Sequence, residues 1–120
     1  MTIKNIGVPD KRVYGDLVEA DTQASTNNYA VVTGSELNAG PFQSISYTVR
    51  ASTNNVNWKV FGANKEDFSD EVEVMTETAV TAGGNDSYTA SPPAYRFYRV
   101  KIKSASTDTP GDADVVGLAK

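Results

Sequence analysis

Histidine and cysteine are both missing from this 120-residue sequence, and the two absences remove a great deal of chemistry. Without cysteine there are no disulfides and no thiolate metal sites, so stability has to come from packing and backbone pairing. Without histidine the commonest general base is gone, and with it the usual nucleophile–base pairs. Zinc, iron and copper lose their imidazole and thiolate ligands. There is no Gly-rich phosphate loop and no nucleophile elbow. No apolar run approaches the ~20 residues of a membrane span, and the Met-Thr-Ile-Lys start has no apolar signal core. The expectation is a non-enzymatic protein with no cofactor, no metal and no membrane contact, made in a cytoplasm.

Basic charge is scarce too. A net charge of −4 argues against nucleic acid, because such binders gain most of their affinity by neutralising phosphates. One basic stretch, Arg96-Phe-Tyr-Arg99-Val-Lys101-Ile-Lys103, interleaves aromatics as a single-strand binder does. It reads better as a strand with a charged outer edge. Hydrophobic residues at 39% and charged residues at 22% belong to a globular chain. At this length roughly two thirds of the unfolded surface is buried on folding, enough for one sandwich core.

What is present is β-structure. No segment sustains helical apolar spacing beyond a turn; short β-rich runs alternate with Gly, Pro, Asn, Asp and Ser. Strands are expected at Arg12 to Ala20, Tyr29 to Thr33, Phe42 to Ala51, Val56 to Gly62, around Val72, Val74 and Val80, at Ser87 to Ala90, Tyr95 to Lys103 and Ala113 to Ala119. Inward faces are expected at Ile45, Tyr47 and Val49; at Val56, Trp58 and Val60; and at Tyr98, Val100 and Ile102. The only helical candidate is a turn near Lys65 to Asp70. Eight short strands imply an all-β, antiparallel β-sandwich of jelly-roll type, with an extended N-terminal arm over residues 1–11 and the sandwich over 12–120.

The arm carries Ile3, Lys4, Ile6 and Val8, more branched aliphatics than a frayed tail needs, and is the expected partner-binding segment. Acids crowd into Glu66, Asp67, Asp70, Glu71, Glu73 and Glu77, which suits a solvated face better than a glycosidase pair. Either these acids pair with the basic strand inside one sheet, or Glu71 and Glu73 meet Arg96, Arg99 and Lys101 of another copy and close a ring. Asp108, Asp112 and Asp114 form the one oxygen-rich loop to weigh for calcium, but a turn entering the last strand explains them as well. The string Ala-Ser-Thr-Asn-Asn occurs at 24–28 and again at 51–55, and suits a tight hairpin turn.

Two resemblances follow from these residues. The segments Ile45-Ser-Tyr-Thr-Val49, Asn57-Trp-Lys-Val-Phe-Gly-Ala-Asn64 and Tyr95-Arg-Phe-Tyr-Arg-Val-Lys-Ile102 together resemble the discoidin, or galactose-binding, sandwich family, whose hallmark disulfide is absent. The arm, the Thr/Ser/Asn-rich turns and the missing catalytic groups resemble tailed-phage capsid decoration, or cement, proteins. That second resemblance implies a homotrimer on the virion surface that binds the major capsid protein and stiffens the shell. The alternatives are a carbohydrate- or receptor-binding module, with Tyr14, Tyr29, Tyr88 and Tyr95 as stacking rings and Trp58 in the core, and another tail or head-completion protein.

Overall fold

The computed structural model describes residues 16–23, 28–105 and 110–120. Nine strands, all paired antiparallel, make up the regular structure among them. They are β1 (Asp16–Gln23), β2 (Ala30–Val31), β3 (Leu37–Asn38), β4 (Ile45–Ala51), β5 (Val56–Ala63), β6 (Val72–Val80), β7 (Asn85–Ala90), β8 (Phe97–Ser104) and β9 (Asp112–Ala119). One sheet, sheet A, has the order β1-β9-β4-β7. The other, sheet B, has the order β2-β8-β5-β6, with β3 also on β8. Since β2 and β3 share one edge of β8, this is the eight-position jelly roll with its two Greek keys. Of the long strands, only β5 and β6 follow each other within one sheet as a hairpin.

The alternation expected from sequence sets the core. Ile45, Tyr47 and Val49 of β4 face Val56, Trp58 and Val60 of β5 and Tyr98, Val100 and Ile102 of β8, all buried. A fully buried large apolar side chain contributes roughly 1.5–3 kcal/mol, so these nine residues are the main source of cohesion. Two polar side chains cross the gap. The Tyr47 hydroxyl, from sheet A, donates to Ser35 O at 2.5 Å and lies 3.1 Å from Tyr98 O. Trp58, from sheet B, donates its indole N–H to Asp86 Oδ2 of β7 at 2.9 Å.

Four differences from the sequence reading have physical causes. The first strand runs on to Gln23, beyond the expected Ala20, because its pairing with β9 continues from Asp16↔Ala119 to Gln23↔Asp112; residues 12–15 lie outside the described residues. The two-residue β3 was not expected; it forms because Leu37 and Asn38 lie opposite Tyr98 and Phe97, a tertiary pairing without local signal. No helix forms at 65–70: Phe68 N donates to Lys65 O and Glu71 N to Phe68 O, closing successive turns. The string at 51–55 does not close a hairpin. It carries the chain from β4 in sheet A to β5 in sheet B, and its side chains tie distant loops: Asn54 Nδ2 to Pro110 O, Ser52 Oγ to Asp112 O, and Asn55 Oδ1 accepting from Ala82 N. The arm, Tyr14, Asp108 and residues 24–27 of the first copy of the string lie outside the described residues.

Gly117 shows how closely the inner layer is packed. A Cβ there would sit 2.6 Å from Tyr47 Cε1 and 2.9 Å from Val18 Cγ2. Gly117→Ala is therefore expected to lower stability by about 1–3 kcal/mol, as overpacking does, read as a lower urea midpoint with an unchanged m-value. Wild-type stability would show that the ring and its neighbours have room to move.

Candidate functional site

The outward face of sheet B is where charge and aromatic rings concentrate. On β8 the residues between the buried ones are Phe97, Arg99, Lys101 and Lys103; on β5 they are Asn57, Lys59 and Phe61. The register sets Lys59 directly opposite Lys101, and like charges in that position repel. Each finds its own partners. Lys59 Nζ bonds Glu73 Oε1 at 2.9 Å and lies 4.6 Å from the centre of the Tyr29 ring. Lys101 Nζ bonds Glu71 Oε2 at 2.6 Å and lies 4.3 Å above Phe61. Arg99 Nε bonds the other Glu71 oxygen at 2.9 Å and covers the Phe68 ring at 4.3 Å. Tyr29 donates to Glu77 Oε2 at 2.7 Å. Burial first, and then that hydrogen bond, hold its phenol well above the ordinary range.

Acidic and basic sets thus pair within the chain, though not as neighbouring strands. β6 and β8 lie on either side of β5, and Glu71 reaches across from the loop before β6. Arg96, by contrast, is exposed and stacks on Phe97 at 5.4 Å. The basic strand is an interior strand of its sheet, with its charges on a face rather than an edge.

The loop 64–71 is organised by its carboxylates. Asp70 accepts from the backbone N–H of Asn64 and of Lys65, both at 3.1 Å. Asp67 accepts from Ser69 N at 2.9 Å, and this bond holds its carboxyl below the ordinary value. These bonds turn the chain so that Phe68 sits at φ 59°, a region an L side chain rarely adopts. Its ring is only 7% exposed, 6.3 Å from the ring of Phe97. Beside the two rings opens a cleft of about 380 Å³, lined by Glu36, Leu37, Asn38, Glu66, Phe68 and Phe97. The cleft has an apolar floor, and its rim carries two exposed carboxylates.

The sequence reading had Glu66 only as one of an acidic run and did not single out Phe68, Leu37 or Glu36. An isolated Phe within Lys65-Glu-Asp-Phe-Ser-Asp70 was the one available signal. Of the tyrosines considered as stacking platforms, Tyr88 and Tyr95 pack against the core and Tyr29 lies between Lys59 and Lys103. Trp58 is wholly buried. Asp112 Oδ2 lies 3.5 Å from the Thr53 hydroxyl; among the described residues no three acidic side chains converge as a cation site.

Glu71 generates a pH dependence. Desolvation pushes its carboxyl upward, but the bonds from Arg99 and Lys101 outweigh it and hold the value below the usual 4.5. A carboxyl with a depressed folded pKa stabilises the fold above its unfolded pKa, and that stabilisation is lost as pH falls through the folded value. Glu71→Gln is therefore expected to be less stable than wild type at neutral pH, with the two converging as pH falls through the depressed folded value and the wild-type carboxyl takes up its proton. Melting temperatures from pH 7 to 2.5 measure this; parallel curves would contradict it.

No family profile matches the chain, and no curated relative matches it by sequence. Solved structures do superpose on it. A protein of Bacillus endospore appendages, described as a novel family of disulfide-linked pili, aligns over 88% of this chain and 86% of its own, at 17% identity and a TM-score of 0.54. The Yersinia pseudotuberculosis-derived mitogen aligns over 88% and 87%, at 7% identity and a TM-score of 0.56. A de novo designed double-stranded β-helix aligns over 82% and 96%, at 14% identity and a TM-score of 0.50. At such identities the likeness is one of fold. It is a likeness of all-β fold, and the discoidin-like arrangement expected from sequence is not confirmed.

Proposed function

We propose that this chain is a non-enzymatic structural protein of a larger assembly, and specifically a capsid decoration protein that binds the outside of a phage head as a homotrimer. The observation that carries the structural reading is the engagement of the surface acids. Asp67, Asp70, Glu71, Glu73, Glu77 and Asp86 each hold part of the fold through a hydrogen bond or an ion pair. What the molecule then offers is a rigid body with defined faces. The likeness to a subunit of spore-appendage pili supports a role in assembly, but this chain has no cysteine and would have to join its partners without disulfides.

Decoration would act by mass action. A protein that binds the assembled shell and not its separated subunits shifts the equilibrium toward the shell, and several attachment points per oligomer add avidity. The arm residues Ile3, Lys4, Ile6 and Val8 are the proposed contacts of the oligomer, made to the shell or to a neighbouring subunit. Arg96, exposed at the same end of the sandwich as the cleft, is the proposed charged contact of the described body; Glu71, Glu73, Arg99 and Lys101 are already paired within it.

A second reading, a carbohydrate- or receptor-binding module, is favoured by one observation: the cleft combines phenyl rings with carboxylate and amide groups, a surface on which a sugar can stack and hydrogen-bond. A variant lacking residues 1–11 is expected to fold with a wild-type melting temperature and to fail to decorate empty shells in co-sedimentation. Full occupancy by that variant would defeat the role of the arm, and specific binding on a glycan array would favour the second reading.

A further inference from the structure

We propose that the Phe68–Phe97 cleft is the receptor for the N-terminal segment of a second copy of this chain, which seats a branched aliphatic side chain of that segment on the two rings and its basic side chains on Glu36 and Glu66. The proposal rests on the assembly reading above and supplies the joint between subunits that it requires.

Three observations converge on this occupant. The first is chemical. The cleft has an apolar floor of Leu37, Phe68 and Phe97 under an exposed acidic rim. Residues 1–15 carry Ile3, Ile6 and Val8 among Lys4, Lys11 and Arg12, with Asp10 as their single acid. Few other stretches of the chain combine branched aliphatics with a positive excess; the basic strand β8 does so, and its aliphatics are buried in its own core.

The second observation is position. Asp16, the first described residue, lies opposite Ala119, and β3, which lines the cleft, touches both β1 and β9. The point where the segment joins the body therefore lies at the same end of the sandwich as the cleft that would receive its counterpart. In a closed ring each subunit would then give and accept at one end, the head-to-tail geometry that closes by rotation.

The third is size. A cleft of about 380 Å³ holds the equivalent of roughly a dozen waters, enough for one or two branched side chains and not for a folded element. Fifteen extended residues reach about 50 Å, longer than the 44 Å long axis of the molecule, so the segment can lie on a neighbour.

The structure also supplies rigidity. Phe68 is held at its left-handed φ by the Asp70 and Asp67 bonds within its loop, and its ring is clamped by Arg99, itself fixed by Glu71. A preformed floor lowers the ordering cost of binding.

The test uses three proteins: the full chain, the chain lacking residues 1–11, and the full chain carrying Glu36→Lys and Glu66→Lys. Both glutamates are exposed, and unchanged melting curves will show that the fold is kept; should it be lost, Glu36→Gln with Glu66→Gln replaces the pair. Light scattering is expected to find an oligomer for the full chain and monomers for the other two. A fluorescent peptide of residues 1–12 should bind the shortened protein saturably, and the Kd should rise at least tenfold when the two glutamates are reversed. Raising salt should weaken binding, since the rim charges are open to screening. A monomeric full chain, wild-type assembly of the charge-reversed protein, or equal peptide binding with and without the glutamates would each overturn the assignment. The two readings fail separately. If the charge-reversed protein still assembles and still decorates shells, the cleft assignment falls alone. If the peptide binds as expected and no protein decorates shells, the decoration reading falls alone.

Discussion

Two side chains cross the gap between the sheets in opposite directions, and the rest of the molecule depends on where they land. Tyr47 leaves sheet A and donates to Ser35 O, close to Tyr98 O; Trp58 leaves sheet B and donates to Asp86. Both are wholly buried. An apolar layer alone is non-directional and tolerates sliding between sheets. A buried donor that must reach one acceptor does not, because an unpaired polar group in that layer costs about 1–3 kcal/mol. The pair therefore fixes the relative placement of the sheets. That placement carries the loops at the ends of the sandwich, including 64–71 and the segment around β3.

The two outer faces follow different rules. On sheet B, lysines that the register sets opposite each other are neutralised by Glu71 and Glu73 and cover the rings of Tyr29 and Phe61. On sheet A, the exposed positions of β4 and β7 include Thr48, Arg50, Ser87 and Thr89, and β9 shows Val116 at 42% exposure. Three of the four sheet edges are managed too. β6 has two register shifts against β5, β7 runs into Ser91-Pro92-Pro93, and β2 and β3 are two residues each. Bulges, prolines and short edges all discourage strand addition at these edges; β1, eight residues long, is the fourth edge.

How much was legible beforehand depends on the range of the interaction concerned. Alternation within a strand is local, so the buried faces of β4, β5 and β8 could be read residue by residue. In β6 the same rule works less well: Val80 is buried while Val72 is 42% exposed, because the two bulges break the period of two on which the reading relies. β3 is too short for any pattern. The candidate cleft was hidden for the same reason. Its floor comes from β3, the 64–71 loop and the first residue of β8, three segments distant in sequence that the pairing of strands brings together. Phe68 in particular carried no periodic neighbour to mark it as buried.

By itself, the sequence determined the class of the fold and the chemistry available to it: strand periodicity, turn residues, and the absence of histidine and cysteine are properties of the chain whatever its shape. Only the tertiary structure decided the jelly-roll order of the strands, the engagement of Glu71 by Arg99 and Lys101 across an intervening strand, and the meeting of Phe68 with Phe97. These are pairings between residues 28 to 30 positions apart. No local preference encodes them, because they are selected by how two sheets fit together once their apolar faces are closed.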